Sequence, residues 1–410
     1  KYNYSEYFSS IIGYTGPISE SEYTALHKKN EDYTQNDTVG KAGLEQYYET
    51  YLRGKNGERK FYIDNVGRIS EIISSTDSVA GDDLYLSIDA DLQMATYLAL
   101  QNEIAAIVYS NIKSGEIPIN DVYTALIGNS VINTEHFSKS KASDTEKSVL
   151  SVFKSRQKTT LGKIKQELTS SPEALNTMSD EVLDEFTYII SMLKDDQVLL
   201  KNEIDTSDSV YQKWKDQKIS PKEYLNYCIT QHWIDISQLN VDEKYADSTE
   251  VYDALCKYIL KNIKTDTEFS KIIYQYMITR GEISPRQLCL ILFDQGVLDY
   301  DDATVNKLKN GSLSPRDFLM KKIYNIEITP AQLALEPCTG SCVVTDEKTG
   351  EIRAMVSYPG YNSNKLANGV DSEYFASLQH DKSSPLLNYA TQQKTAPGST
   401  FKLVSATAGL

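Results

Sequence analysis

Ala396-Pro397-Gly398-Ser399-Thr400-Phe401-Lys402-Leu403-Val404-Ser405-Ala406-Thr407-Ala408-Gly409-Leu410 is the stretch on which the reading of the chain turns. Pro397-Gly398 is a turn pair, and the apolar residues that follow predict a buried helix from Ser399 to Leu410. On a helix, Ser399 and Lys402 share one face about one turn apart. A hydroxyl beside an amine can serve as nucleophile and base. Burial and the positive end of the helix dipole disfavour an ammonium, so an amine held there can take the serine proton near neutral pH. The backbone N–H of Ser399, free at a helix start, could also face the oxyanion of an acyl-transfer intermediate.

Spacing alone is a weak signal. The same S-x-x-K pattern occurs at Ser110 to Lys113, Ser138 to Lys141, Ser151 to Lys154 and Ser155 to Lys158, and such pairs are more often exposed polar residues. What distinguishes Ser399 and Lys402 is the Ala396-Pro397-Gly398 entry and the apolar run Leu403, Val404, Ala406, Ala408 and Leu410.

Upstream, Ser341 to Asp346 is apolar and β-prone, Glu347-Lys348-Thr349-Gly350 is a turn, and Glu351 to Ser357 alternates, which predicts a hairpin. Residues 358 to 397 are irregular. At the other end, the first hundred residues mix Gly turns with short extended runs. Asp83 to Asp89 has the two-residue period of a half-buried strand, and a helix capped by Asp89 or Asp91 should follow it. From about 102 to 325 the chain reads as helices separated by polar turns. Ser171-Pro172, Ser220-Pro221, Ser284-Pro285, Ser314-Pro315 and Thr329-Pro330 each predict a helix start, with the hydroxyl at the cap and the proline at the first helical position. Their spacing is too unequal for a regular solenoid, so a helical bundle is expected. Ser138 to Lys158, rich in Lys, Ser and Thr, is expected to be the most mobile stretch.

Composition excludes several classes. Forty-two basic against 57 acidic side chains give a formal charge of -15, which argues against a nucleic-acid partner. No window approaches the 18 or so apolar residues of a membrane span; the longest aliphatic run, Leu288 to Phe293, is core-sized. The chain opens at Lys1 without a signal-peptide pattern, which suggests that an N-terminal region precedes it. The five Cys (228, 256, 289, 338, 342) suggest no disulfide framework, and the four scattered His (27, 136, 232, 380) no metal site. No metal or cofactor is expected. The 29 Tyr are spread through apolar and polar segments alike and identify no site.

Pro385-Leu386-Leu387-Asn388 followed by Ala396 to Lys402 resembles the segment around the first active-site motif of penicillin-binding transpeptidases. Val344 to Ser357, with Pro359, Tyr361 and Asn364, is similar to the first strands of that domain. Gly13-Tyr14-Thr15-Gly16, then Val39 to Glu45 with Tyr48, Leu52, Arg53 and Gly54, then Gly81 to Leu86, Ile88-Asp89 and Leu92-Gln93, resembles the pedestal of class B members. The matches, over roughly 10 to 100 and 328 to 410, are in the family's order.

The resemblance implies an α+β multidomain chain: a β-rich pedestal (dimerisation-type) domain at 1–101, an all-α insertion at 102–325, and the start of a transpeptidase domain at 326–410. It further implies acyl transfer with Ser399 as nucleophile and Lys402 as its base, peptidoglycan stem peptides as substrate, and acylation by β-lactams. A membrane anchor before Lys1 and an extracytoplasmic location are expected of the parent protein. The middle S-x-N motif and the catalytic K-T-G are expected beyond Leu410, so residues 1–410 alone are expected to be inert, with the apolar face of the serine helix exposed, disordered or covered by another chain. Lys348-Thr349-Gly350 precedes the serine and sits in a hairpin turn, so it receives no catalytic role. The alternative is a β-lactam sensor or a non-catalytic scaffold, which the pedestal resemblance disfavours. The insertion reads first as a spacer and second as a docking module for cell-wall or division proteins.

Overall fold

The computed structural model describes residues 1–66, 68–170, 173–241, 246–367 and 369–409. It has mixed helix and sheet, and it divides into two compact units: residues 1–111 together with 323–410, and residues 112–322.

The first unit begins with α1 (Ser5–Ile12), β1 (Tyr14–Pro17), α2 (Glu20–His27), β2 (Thr38–Ala42), α3 (Gly43–Tyr47), α4 (Glu49–Leu52), β3 (Glu58–Ile63) and β4 (Ile69–Thr76). Strands β1 and β2 pair antiparallel, as do β3 and β4, in separate two-stranded sheets. This segment is therefore mixed, not β-rich as expected, because short helices occupy the turns between its strands. Every residue of β3 and β4 is exposed. The predicted strand at 83–89 belongs to no ladder. It makes two bonds, Ser87 Oγ to the Ile352 carbonyl (2.8 Å) and Asp89 N–H to the Arg353 carbonyl (2.9 Å), and Tyr85 is 89% exposed. Alternation alone did not specify a paired strand there. Asp89 then caps α5 (Ala90–Ser114), its carboxylate accepting the Leu92 N–H at 2.9 Å.

The second unit is helical: α6 (Ile119–Gly128), α7 (Asp144–Thr169), α8 (Asp180–Asp195), α9 (Ser209–Lys215), α10 (Pro221–Thr230), α11 (Ser248–Ile263), α12 (Thr267–Thr279), α13 (Pro285–Asp294), α14 (Asp302–Asn310) and α15 (Pro315–Tyr324). The hydroxyl-proline pairs start helices where they are described. Ser220, Ser284 and Ser314 accept the N–H three residues on, at 3.1, 3.3 and 3.1 Å; Ser171-Pro172 lies outside the described residues. The expected mobile stretch is instead helical. Ser143 and Glu146 form a reciprocal cap at the start of α7, and Glu146, fully buried, also takes bonds from Gln295 (2.8 Å) and His136 (2.7 Å). Val149 and Phe153 of the same stretch are buried, Phe153 stacked 4.2 Å from Tyr274. The Lys and Ser residues that suggested mobility form the solvated face of an amphipathic helix.

The chain then returns to the first unit with α16 (Pro330–Leu333), β5 (Gly340–Thr345), β6 (Ile352–Tyr358), α17 (Ser372–His380) and α18 (Lys402–Gly409). Thr329 caps α16, accepting the Gln332 N–H at 3.2 Å. Strands β5 and β6 form the predicted antiparallel hairpin. Asp346 closes its turn by accepting the Lys348 and Thr349 N–H groups at 2.9 and 3.0 Å, with Gly350 at φ 75°.

One buried charge gives the helical unit a pH dependence. Glu185 is 1% exposed, one turn after the buried Glu181, which Arg280 and Arg156 already engage. Burial, then the Glu181 charge, push the Glu185 carboxyl from its ordinary 4.5 up to about 8, with Lys163 and Arg156 opposing and Asp184 adding to the rise. The folded chain therefore keeps a proton that the unfolded chain releases above its ordinary value. The associated stability is complete below pH 4.5 and is lost as pH rises towards about 8. Glu185→Gln should flatten the decline between pH 5 and 8 by a few kcal/mol in denaturant titrations, on the order of 1.4 kcal/mol per pH unit at most. Parallel wild-type and variant curves would show that Glu185 is not the group responsible.

Candidate active site

The segment carrying Ser399 is approached through β6, whose free edge is bonded by side chains and loop backbone in place of another strand. Gln93, fully buried on α5, accepts the Met355 N–H at 2.8 Å and donates to the Met355 carbonyl at 2.9 Å. The same amide nitrogen donates to the Tyr7 carbonyl of α1 at 2.9 Å. One polar side chain thus imitates a ladder partner for β6 and ties it to α1 and α5. One turn on, the Tyr97 hydroxyl accepts the Gly360 N–H at 3.1 Å and donates to Glu6 at 3.3 Å. Burial raises the Tyr97 phenol far above its ordinary value, so it remains protonated and able to donate. Gly360 must be glycine, since a Cβ there would stand 1.9 Å from the Glu6 carbonyl oxygen. Tyr361 completes the contact with α1, its N–H donating to Ser9 Oγ (3.0 Å) and its hydroxyl to the Ser9 carbonyl (3.1 Å).

The chain leading to the serine is pinned from two sides. Ser357, buried on β6, donates its hydroxyl to the Leu387 carbonyl (3.2 Å) and accepts the Tyr389 N–H (2.9 Å). Asn388, between them, donates to the Ser10 carbonyl of α1 at 3.0 Å. From Thr391 to Gly409 the residues are exposed. Gly398 takes φ 56°, a left-handed value that glycine adopts without steric cost, and it opens a 3-10 turn over Gly398–Phe401 that passes directly into α18. In that turn the Lys402 N–H donates to the Ser399 carbonyl. With three residues per turn, positions i and i+3 eclipse, so Ser399 and Lys402 lie on one side. Ser399 sits in the first turn, where its N–H has no intrahelical carbonyl to reach.

The helix predicted from Ser399 to Leu410 is not buried, and its apolar face is exposed, one of the outcomes expected for residues 1–410 alone. Ser399 and Lys402 are exposed, as are Phe401 (51%), Leu403 (78%) and Val404 (54%), while Leu410 lies outside the described residues. Apolar periodicity specified a face able to be buried; it did not supply the surface that would bury it. Exposure therefore does not separate this pair from those at Ser110, Ser151 and Ser155, which are exposed as well. The difference is position: those three serines lie inside α5 and α7, where the N–H groups are committed to the helix, and Ser399 lies at a helix entry. Lys348-Thr349-Gly350 occupies the β5–β6 turn. Among the described residues, no group of three or more His, Cys, Asp or Glu is placed to hold a metal ion.

Residues 1–86 match the profile of the penicillin-binding protein dimerisation domain, and residues 340–410 that of the penicillin-binding protein transpeptidase domain. The peptidoglycan D,D-transpeptidase MrdA of Salmonella typhimurium is 31% identical over 119 residues, 28% of this chain and 19% of that protein. Its Escherichia coli K12 counterpart is 30% identical over 118 residues, again 28% and 19%. The peptidoglycan D,D-transpeptidase PbpA of Mycolicibacterium smegmatis is 43% identical over 77 residues, 18% of this chain and 16% of that protein. Over these two regions the chain is similar to class B penicillin-binding proteins. The matches span about a fifth of the length of these relatives. In this chain the transpeptidase match takes in the β5–β6 hairpin and both Ser399 and Lys402, the dimerisation match takes in α1 to β4, and the residues of the second unit fall between them in sequence.

The sequence singled out Ser399 and Lys402 but missed Ser357, Tyr97 and Ser9, which hold the approach to them. A polar residue inside an apolar run, such as Gln93 between Leu92 and Met94, was the available signal for an anchor of this kind. Ser357→Ala should leave the Leu387 carbonyl and the Tyr389 N–H without their partner and destabilise the first unit by roughly 1–3 kcal/mol. Thermal melting would show this, and an unchanged melting temperature would mean that water replaces the hydroxyl.

Proposed function

We propose that this chain is part of a serine-type peptidoglycan D,D-transpeptidase, with a pedestal at 1–101, a helical insertion at 102–325 and the opening of the catalytic domain at 326–410. The observation that carries the reading is the 3-10 entry at Gly398–Phe401, which sets Ser399 and Lys402 on one side, within the region matched by the transpeptidase profile.

In this reading Ser399 Oγ attacks the carbonyl between the two D-Ala residues of a stem peptide, and Lys402 Nζ takes the hydroxyl proton. The tetrahedral oxyanion faces the Ser399 N–H. It collapses by breaking the peptide bond; the terminal D-Ala leaves with a proton, and an acyl-enzyme remains. An amine on a neighbouring strand then attacks the ester, giving the cross-link and restoring the serine. A β-lactam follows the first half: its ring opens on attack, and the ester persists. Because the pair is exposed here, the reading requires further walls and a second oxyanion donor around it in the working enzyme, which the S-x-N and K-T-G segments would supply.

The described residues contain no helix long and apolar enough to cross a membrane. Membrane anchoring, with this region on the extracytoplasmic face, is part of the proposal and rests on the class. The insertion is read first as a structural spacer, and a docking role for wall or division proteins is the second reading.

The test is acylation of the complete protein. Labelled penicillin should be retained covalently, Ser399→Ala should abolish retention, and Lys402→Ala should slow acylation by about 10²–10⁴-fold, the ordinary contribution of a general base. Undiminished labelling of Ser399→Ala would overturn the assignment.

A further inference from the structure

A trough of about 450 Å³ opens in the first unit between the start of α1 and the loop after β6, and nothing in the proposed chemistry uses it. Tyr4, Tyr7, Tyr361 and Tyr374 line it with Glu6 and Asn362; Tyr4 is exposed, Tyr7 and Tyr374 are half-buried, and the Tyr361 side chain is buried in the core beneath. Tyr4 is unusual on two counts. It adopts left-handed φ 55°, ψ 34° before α1, a conformation that costs energy for a bulky residue, and its ring is 62% exposed. The other rings are braced: Tyr7 meets Tyr97 edge-on at 5.0 Å, and Tyr361 is bonded to Ser9. The Tyr374 hydroxyl accepts the Asn362 N–H at 2.8 Å, and its own proton can still be donated.

The lining decides the ligand class. Glu6 is the single charged residue of its lining, and Lys365 is held 4.6 Å over the Tyr374 ring, so a phosphate would meet a carboxylate in the lining itself. Aromatic rings beside a carboxylate also suit an ammonium, but a methylated ammonium is far smaller than this space, which falls in the roughly 300–1,000 Å³ range of pockets for drug-sized ligands. A pyranose has an apolar C–H face and a rim of hydroxyls. It suits flat, amphipathic tyrosine rings edged by a carboxylate and an amide. The open trough also admits a chain passing through, whereas a closed pocket would take only an end.

We propose that this trough is a saccharide subsite that takes about two consecutive rings of a glycan strand. The inference rests on the proposed function, since the stem peptides to be cross-linked hang from such strands. Binding here would hold the strand while its peptide is presented to Ser399.

The probe is a tetramer of β-1,4-linked N-acetylglucosamine, titrated into the complete protein by calorimetry. Two variants are compared with wild type. Tyr4→Gly removes the exposed ring and keeps the left-handed backbone accessible; Glu6→Gln removes the charge and keeps an acceptor for Tyr97. The tetramer should bind at millimolar concentration or below, and Tyr4→Gly should weaken it by about tenfold or more. Glu6→Gln should weaken it severalfold with an unchanged melting temperature, and that variant decides the matter if Tyr4→Gly folds poorly. No binding at several millimolar, or equal binding to wild type and both variants, would overturn the subsite. Penicillin acylation, measured in parallel, separates the two ideas. Acylation without glycan binding sinks the subsite alone, and glycan binding without acylation of Ser399 sinks the transpeptidase reading.

Discussion

A single buried amide organises the first unit. Gln93 reaches from α5 to satisfy both backbone groups of Met355 on β6 and the Tyr7 carbonyl on α1. A buried strand edge with unpaired N–H and C=O groups would cost about 1–3 kcal/mol per group, so these three elements can dry their shared core only if something replaces the missing strand. Residues drawn from both ends of the chain surround that replacement. Tyr97 meets Gly360, Ser9 meets Tyr361, and Asn388 meets Ser10. The segment leading to Ser399 is fixed because β6 is fixed, and β6 is fixed on its outer edge by α5.

This explains how a chain with a long helical unit between its two matched regions keeps them registered. The bonds joining residues 1–12 and 87–97 to residues 352–389 are mostly side chain to backbone, and each constrains a particular pair of atoms. The helical unit is built on other physics. Most of its helices start on side-chain caps, and they bury Phe186, Ile189, Leu193, Ile259, Phe269 and Met277, each fully or almost fully. Its helix exits repeat a left-handed residue followed by a buried apolar one: Ser130 before Val131, Gln197 before Val198, His232 before Trp233. At two of those exits the apolar pair folds back onto the helix, Ile132 N–H to the Leu126 carbonyl and Leu199 N–H to the Leu193 carbonyl, both at 2.7 Å.

These exits mark the limit of what the sequence displayed. Helix starts were legible because hydroxyl-proline pairs have a local mechanism, and the β5–β6 hairpin because alternation and a Gly turn coincide. Helix stops were not, because Gln197, His232 and Ile326 take positive φ under tertiary constraint, where composition points to glycine. The Ser138–Lys158 stretch misled for a related reason: its lysines were visible, but the cap between Ser143 and Glu146 and the buried Phe153 matter more. At the candidate site, the pairing of Ser399 with Lys402 could be read from spacing and entry residues. Its surroundings depend on contacts more than 260 residues apart in sequence, such as Gln93 with Met355, and no local pattern carries those.

The Gln93 amide holds the approach to Ser399 in place. Hydrogen–deuterium exchange on wild type and Gln93→Leu tests it directly, because Met355, Gly360, Tyr361 and Tyr389 each donate their N–H to a side chain of this frame. Exchange should accelerate at all four amides together in the variant, including Tyr389, which Gln93 does not touch. Acceleration confined to Met355 would show that the bonds act independently and that β6 does not depend on the amide.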